Sequence, residues 1–189
     1  VENAAKFAAS LDCAGEGEDA VDCLRDKRVP ELIAGSPPDV FSGRAFGPDI
    51  DGVFLTEQVR STYDSGDIAK VPFMLGSNSD EGTLFVAADV PDQAAYTAAL
   101  GAAFGADRAA IIETQYPASK FPDGQPTPFK AALARAVGDA RLVCTTFDSA
   151  VRAATAGGPV YAYNFDISAG IGSLGATHGA ELTSVFGTS

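Results

Sequence analysis

The most regular pattern along this chain is helical. Phe129, Leu133, Val137, Ala140, Cys144, Phe147 and Val151 follow one another at intervals of 4, 4, 3, 4, 3 and 4 residues, which aligns them on one face of a helix. The pattern predicts one long helix or two stacked ones. Gly138 is its weak point, because glycine gives up the most backbone freedom on ordering. A stripe of this kind is core rather than a cofactor site. Weaker helical signals come earlier. Residues 3–10 are alanine-rich, and residues 19–25 carry acids early and a base late, as the helix dipole favours. Val29-Pro30 either breaks that second helix or opens a third. Pro91 suits the first turn of a helix that carries Tyr96, Leu100 and Phe104 and stops at Gly105. Asp107 is placed to cap a further helix through Ile111 and Ile112. Ser36-Pro37-Pro38 reads as a loop, Phe41 to Asp51 as irregular and turn-rich, and the proline-marked stretch 117–128 as a linker.

Two runs break this rhythm. Val71-Pro72-Phe73-Met74-Leu75-Gly76 and Val160-Tyr161-Ala162-Tyr163-Asn164-Phe165 read as short buried strands. Pro72 has no N–H to give a ladder, so pairing is expected to start after it. About 80 residues, largely of helical pattern, separate the two runs, which fits a crossover between parallel strands in an α/β fold. Two strands do not make a covered sheet, so further strands are expected from outside this chain.

Composition narrows the class. With 189 residues, 46% of them hydrophobic and 20% charged, the chain suits a folded domain rather than a disordered one. A net charge of −12 argues against nucleic acid or an anionic membrane as partner, since both repel an acidic surface. No apolar run approaches the roughly 20 residues that span a bilayer. The first residues show no basic segment followed by an apolar one of the signal-peptide kind, which says nothing of secretion if the chain begins inside a longer protein. Of three cysteines, Cys13 and Cys23 flank a polar loop. A short disulfide closing that loop and a pair of buried thiols both fit. Three cysteines and one histidine show no ligand spacing of the zinc type.

The candidate chemistry sits just after the two strands. Leu75-Gly76-Ser77-Asn78-Ser79-Asp80-Glu81-Gly82-Thr83 places a carboxylate in a glycine-bracketed turn, where an open α/β sheet exposes reactive groups. The chain's single histidine, His178, lies 97 positions after Glu81, at the end of a loop of small residues that follows the second strand. An acid followed by a histidine is the later half of a Ser…Asp/Glu…His order. Taken alone, Glu81 is equally a surface glutamate, with Asp80 as the nearer competitor, and His178 is equally a satisfied core or surface histidine.

In order, the motifs resemble those of the type-B carboxylesterases, the α/β-hydrolase family that includes cholinesterases and para-nitrobenzyl esterases. Leu11-Asp12-Cys13 through Asp22-Cys23-Leu24-Arg25 resembles that family's two-cysteine loop. Phe46-Gly47-Pro48-Asp49-Ile50-Asp51-Gly52 is similar to its Pro-x-Ile-Asp-Gly stretch. Gly76 to Thr83 resembles the acid loop, Cys144 falls in a similar helix, Val160-Tyr161-Ala162-Tyr163 matches the next strand, and His178-Gly179-Ala180-Glu181-Leu182 resembles the histidine segment. The resemblance implies that residues 1–189 are the C-terminal portion of a single α/β-hydrolase domain, with few parallel strands and many helices. It implies a carboxylic ester hydrolase with Glu81 as the orienting acid and His178 as the base of a Ser-Glu-His triad, acting on a small-molecule ester without cofactor or metal.

The chain departs from the pattern in two ways. It contains no Gly-x-Ser-x-Gly elbow and no His-Gly-Gly-Gly oxyanion loop. The resemblance therefore implies that the nucleophile lies upstream in a missing N-terminal part and that the isolated chain is inactive. Ser77, Ser79, Ser173 and Ser184 lie near the motifs without forming an elbow. Glu181 is expected to be structural, bonded to backbone. Phe46, Phe73, Phe85 and Phe186 are expected in the core. The alternative is a non-catalytic cholinesterase-like adhesion module, which a missing serine upstream would favour. A Cys13–Cys23 bridge would point to a secreted or periplasmic setting.

Overall fold

The computed structural model describes residues 2–15, 17–35, 48–123, 126–168, 170 and 174–188. The Ser36-Pro37-Pro38 loop, Phe46 and Ser173 lie outside them. The chain divides into two units, Val1–Glu57 and Gln58–Ser189.

The first unit holds helices α1 (Glu2–Ser10), α2 (Glu18–Asp26) and α3 (Val29–Gly35), so Val29-Pro30 opens a helix. A disulfide joins Cys13 to Cys23, with their Cα atoms 5.6 Å apart. It closes the polar loop as one of the two expected alternatives. Asp51 makes a compact turn of the Pro-x-Ile-Asp-Gly stretch: its Oδ1 accepts the N–H groups of Val53, Phe54 and Leu55 at 2.8–3.0 Å. Those bonds hold its carboxyl below the usual range.

The second unit runs α4 (Val59–Ser65), β1 (Phe73–Asn78), α5 (Gln93–Phe104), α6 (Ala106–Gln115), α7 (Pro128–Gly138), α8 (Cys144–Thr155), β2 (Val160–Phe165) and α9 (Leu182–Phe186). Its core is helical. Tyr96 and Leu100 of α5, with no exposed surface, pack with Leu133, Ala136 and Val137 of α7, with Ala109 of α6, and with Val86 and Val90. Side-chain caps fix where two of these helices begin. Asp92 accepts the Ala95 N–H at 2.9 Å, so α5 starts one residue beyond Asp92 and Pro91 lies outside it. Thr127 accepts the Lys130 N–H at 3.1 Å, with Pro128 following at the first turn. The Tyr96 hydroxyl donates to the Tyr116 carbonyl at 2.6 Å, and the Tyr116 hydroxyl donates to Asp139 at 2.9 Å. Burial pushes both phenols up to about 12, and Glu113 beside Tyr96 and Asp139 beside Tyr116 add to it.

The long apolar stripe is not one face. Residues Asp139–Val143 form a π turn between α7 and α8, which takes one more residue per turn than an α-helix. Beyond it the buried face has moved by one position. It continues from Leu133 and Val137 through half-buried Leu142 and Thr146 to buried Ala150 and Ala153, leaving Ala140, Cys144, Phe147 and Val151 exposed. The break comes directly after Gly138, the residue expected to be weak.

Strands β1 and β2 pair in parallel, from Phe73 opposite Val160 to Asn78 opposite Phe165, as the helical crossover implied. Pairing begins after Pro72. The strands are not buried, however. Met74 is 70% exposed and Tyr161 60%. A sheet of two strands has too few neighbours to cover its faces. Burial rises only at the far end of β1, where Ser77 and Asn78 are 3% and 1% exposed. Among the described residues, no helix is long and apolar enough to cross a membrane.

Candidate active site

The buried end of β1 leads into the acid turn. Ser79 donates its N–H to the Phe165 carbonyl at 2.9 Å, extending the ladder one residue past the end of β1, and Asp80 donates its N–H to the Ala176 carbonyl at 3.0 Å. A 3₁₀ turn, Glu81–Leu84, follows. Helix α7 presses directly on this turn. A Cβ at Gly82 would collide with the Ala134 carbonyl, and one at Gly138 would come within 2.7 Å of the Gly82 nitrogen. Glycine after the glutamate and glycine at the end of α7 are thus one requirement, a backbone-to-backbone approach. That approach buries Glu81 to 6% exposure.

The segment after β2 returns to the same place. Asp80 accepts the Ala176 N–H at 2.9 Å through Oδ2, and its other carboxylate oxygen lies 3.8 Å from Arg135 of α7. Gly175, at φ 65°, has no room for a side chain because Asp80 occupies it. Thr83 donates from its hydroxyl to the loop and meets the Thr177 hydroxyl at 2.7 Å. These contacts hold residues 174–177 against the acid turn, and His178 comes next.

His178 Nδ1 lies 2.6 Å from Glu81 Oε2. With its proton on Nδ1, the imidazole donates to the carboxylate. The other carboxylate oxygen, Oε1, accepts the Asn78 N–H at 2.8 Å. Glu81 is therefore held from both sides, with a side chain 7% exposed against 47% for His178. Phe85 flanks the imidazole at 5.2 Å between ring centroids. This pairing leaves Nε2 as the ring nitrogen that Glu81 does not engage. Chemically, a buried carboxylate on Nδ1 fixes one tautomer and stabilises an imidazolium, so Nε2 is the basic atom.

The structure brings together Glu81 and His178. It assigns Asp80, the competing carboxylate, to the loop clamp instead. Glu181 accepts from the Asn78 side chain at 2.6 Å, not from backbone, because the chain turns at 178–181 and α9 begins only at Leu182. The aromatic expectation needs correction too. Phe85 packs against the core, but Phe73 is 36% and Phe186 71% exposed. Sequence reasoning passed over Asn78 and Thr177, both buried polar residues. The available signal was an asparagine at the end of an apolar strand, where a polar side chain needs a partner. Among the described residues, no three His, Cys, Asp or Glu side chains converge to hold a metal ion.

A model of the carboxylesterase family matches residues 1–189, the whole chain. The chain belongs to the carboxylesterase family. Within it, 84 residues are 33% identical to the cholinesterase of Mus musculus, a stretch that covers 42% of this chain and 14% of that protein. The carboxylesterase chain thus spans well under two thirds of this relative's length. Its helix-rich make-up, with one parallel strand pair among the described residues, fits part of an α/β-hydrolase fold.

Proposed function

We propose that this chain supplies the acid and the base of a Ser-Glu-His triad in a carboxylic ester hydrolase. The observation that carries the reading is the 2.6 Å contact between His178 Nδ1 and a buried Glu81 carboxylate, with the imidazole half open. In this reading Nε2 takes the proton from a serine hydroxyl as the serine attacks the ester carbonyl, and Glu81 stabilises the imidazolium. The imidazolium returns the proton to the departing alcohol, leaving an acyl-enzyme. Water, activated by the same nitrogen, then releases the acid. The substrate class is a small-molecule carboxylic ester.

The serine and the oxyanion donors come from a polypeptide segment outside this chain, because the sequence holds no Gly-x-Ser-x-Gly. The exposed apolar faces of the two-stranded sheet favour the same view. Both units are read as parts of one hydrolase domain. The Cys13–Cys23 disulfide favours an oxidising compartment.

The test is hydrolysis of para-nitrophenyl acetate. The isolated chain is expected to give no turnover above that of its His178→Ala variant. Turnover by the isolated chain that disappears in His178→Ala would overturn the assignment of the nucleophile to another segment. The parent gene, read upstream, is expected to encode Gly-x-Ser-x-Gly, and glycine or alanine at the serine position would overturn the hydrolase reading.

A further inference from the structure

Asn78 is the one described residue seen to bond both the acid and the two flanks of the base. Its backbone N–H donates to Glu81 Oε1 at 2.8 Å. Its side-chain Nδ2 donates to the carbonyl of Thr177, the residue before His178, at 2.8 Å. The same Nδ2 donates to Oε2 of Glu181, three residues after His178, at 2.6 Å. Asn78 is 1% exposed. A buried amide that bonds a carboxylate forms a charge-assisted bond, stronger and more directional than a neutral one. The amide therefore spans the short turn 177–181 from beneath, while its backbone fixes the far oxygen of the acid.

We infer that Asn78 and Glu181 act together as positioning residues that hold His178 at bonding distance from Glu81. The inference rests on the triad reading above. Neither residue touches the reacting atoms. They act through the turn that carries the imidazole, where a displacement on the order of 1 Å costs about 100-fold in rate. The charged groups around His178 are Glu81 on the acid turn, Glu181 on its own turn, and Asp80, which is engaged by the Ala176 N–H and lies near Arg135 of α7.

The chain has a single histidine, so the NMR signal of the imidazole Nδ1 proton reads His178 without ambiguity. Glu81→Gln is the reference. It is expected to move that signal upfield, because the charge-assisted bond to the carboxylate is lost. Asn78→Ala and Glu181→Ala are each expected to give at least half of that shift. The double variant is expected to shift no further than the larger single variant, as for two residues in one device. Glu181→Gln removes the charge but keeps an acceptor for Asn78, so its shift is expected to be smaller than that of Glu181→Ala. This contrast separates positioning from charge, and the two Glu181 variants carry the test if Asn78→Ala does not fold. Loss of thermal stability in Asn78→Ala with an unchanged Nδ1 proton signal would overturn the inference, as would equal shifts in Glu181→Gln and Glu181→Ala. If Glu81→Gln itself leaves His178 unmoved, the acid–base pairing fails first, and the inference with it.

Discussion

The helical layer and the two-stranded sheet of the second unit are built to different standards. In the helical layer, Tyr96 and Leu100 are fully enclosed and side-chain caps fix the starts of α5 and α7. In the sheet, Met74 and Tyr161 lie largely in solvent although both belong to paired strands. The acid–base pair stands where the two regions meet. Helix α7 buries Glu81 through the Gly82–Gly138 approach, while the sheet delivers Asn78 and, by way of β2, His178. The difference teaches that the Glu81–His178 pair takes its rigidity from the helical side.

That contrast can be broken or sharpened by substitution. The largest effect is expected from Leu100→Ala, which should cost about 2–5 kcal/mol in denaturant unfolding because it empties a closed core site. Gly82→Ala should follow at about 1–3 kcal/mol, since its methyl collides with the Ala134 carbonyl. It should also loosen the acid turn, visible as greater exposure of Glu81 to solvent exchange in the neighbouring amides. Ionising Tyr96 and Tyr116 should weaken the same core. Their folded pKa values, about 12, lie above the ordinary phenol value of 10. The stability they confer is thus complete below pH 10 and lost as pH rises from 10 through about 12. Equilibrium unfolding across that window should show the decline in the parent and a smaller one in Tyr116→Phe. Removing a cap by Asp92→Ala should cost about 1 kcal/mol. Smallest of all, Met74→Ala on the open sheet should change stability by less than about 0.5 kcal/mol. A Met74→Ala loss as large as that of Leu100→Ala would erase the contrast.

Much of this layout was legible in the sequence, and particular residues show where legibility stopped. The helix starts were legible only to within a residue or two: α5 is capped by Asp92 and not opened by Pro91, and α6 begins at Ala106, ahead of Asp107. Parallel pairing could be read because a helical crossover leaves little choice. The exposed half of the apolar stripe could not, because a π turn shifts the phase by one residue and has no composition of its own. The strands looked buried because an apolar run does not report how many neighbours its sheet has. The candidate site was legible as a glutamate and a histidine in ordered motifs. Asn78 was not, since its role comes from residues about 100 positions away.

The account turns on which carboxylate serves His178. The direct measurement is para-nitrophenyl acetate turnover by the polypeptide extended upstream to include the proposed serine elbow, comparing Glu81→Gln with Asp80→Asn. The account predicts a fall of roughly 10⁴ in kcat for Glu81→Gln, the scale on which a triad loses activity with its acid. It predicts a far smaller fall for Asp80→Asn, whose carboxylate clamps the loop. A larger fall for Asp80→Asn, or near-full activity in Glu81→Gln, would contradict it.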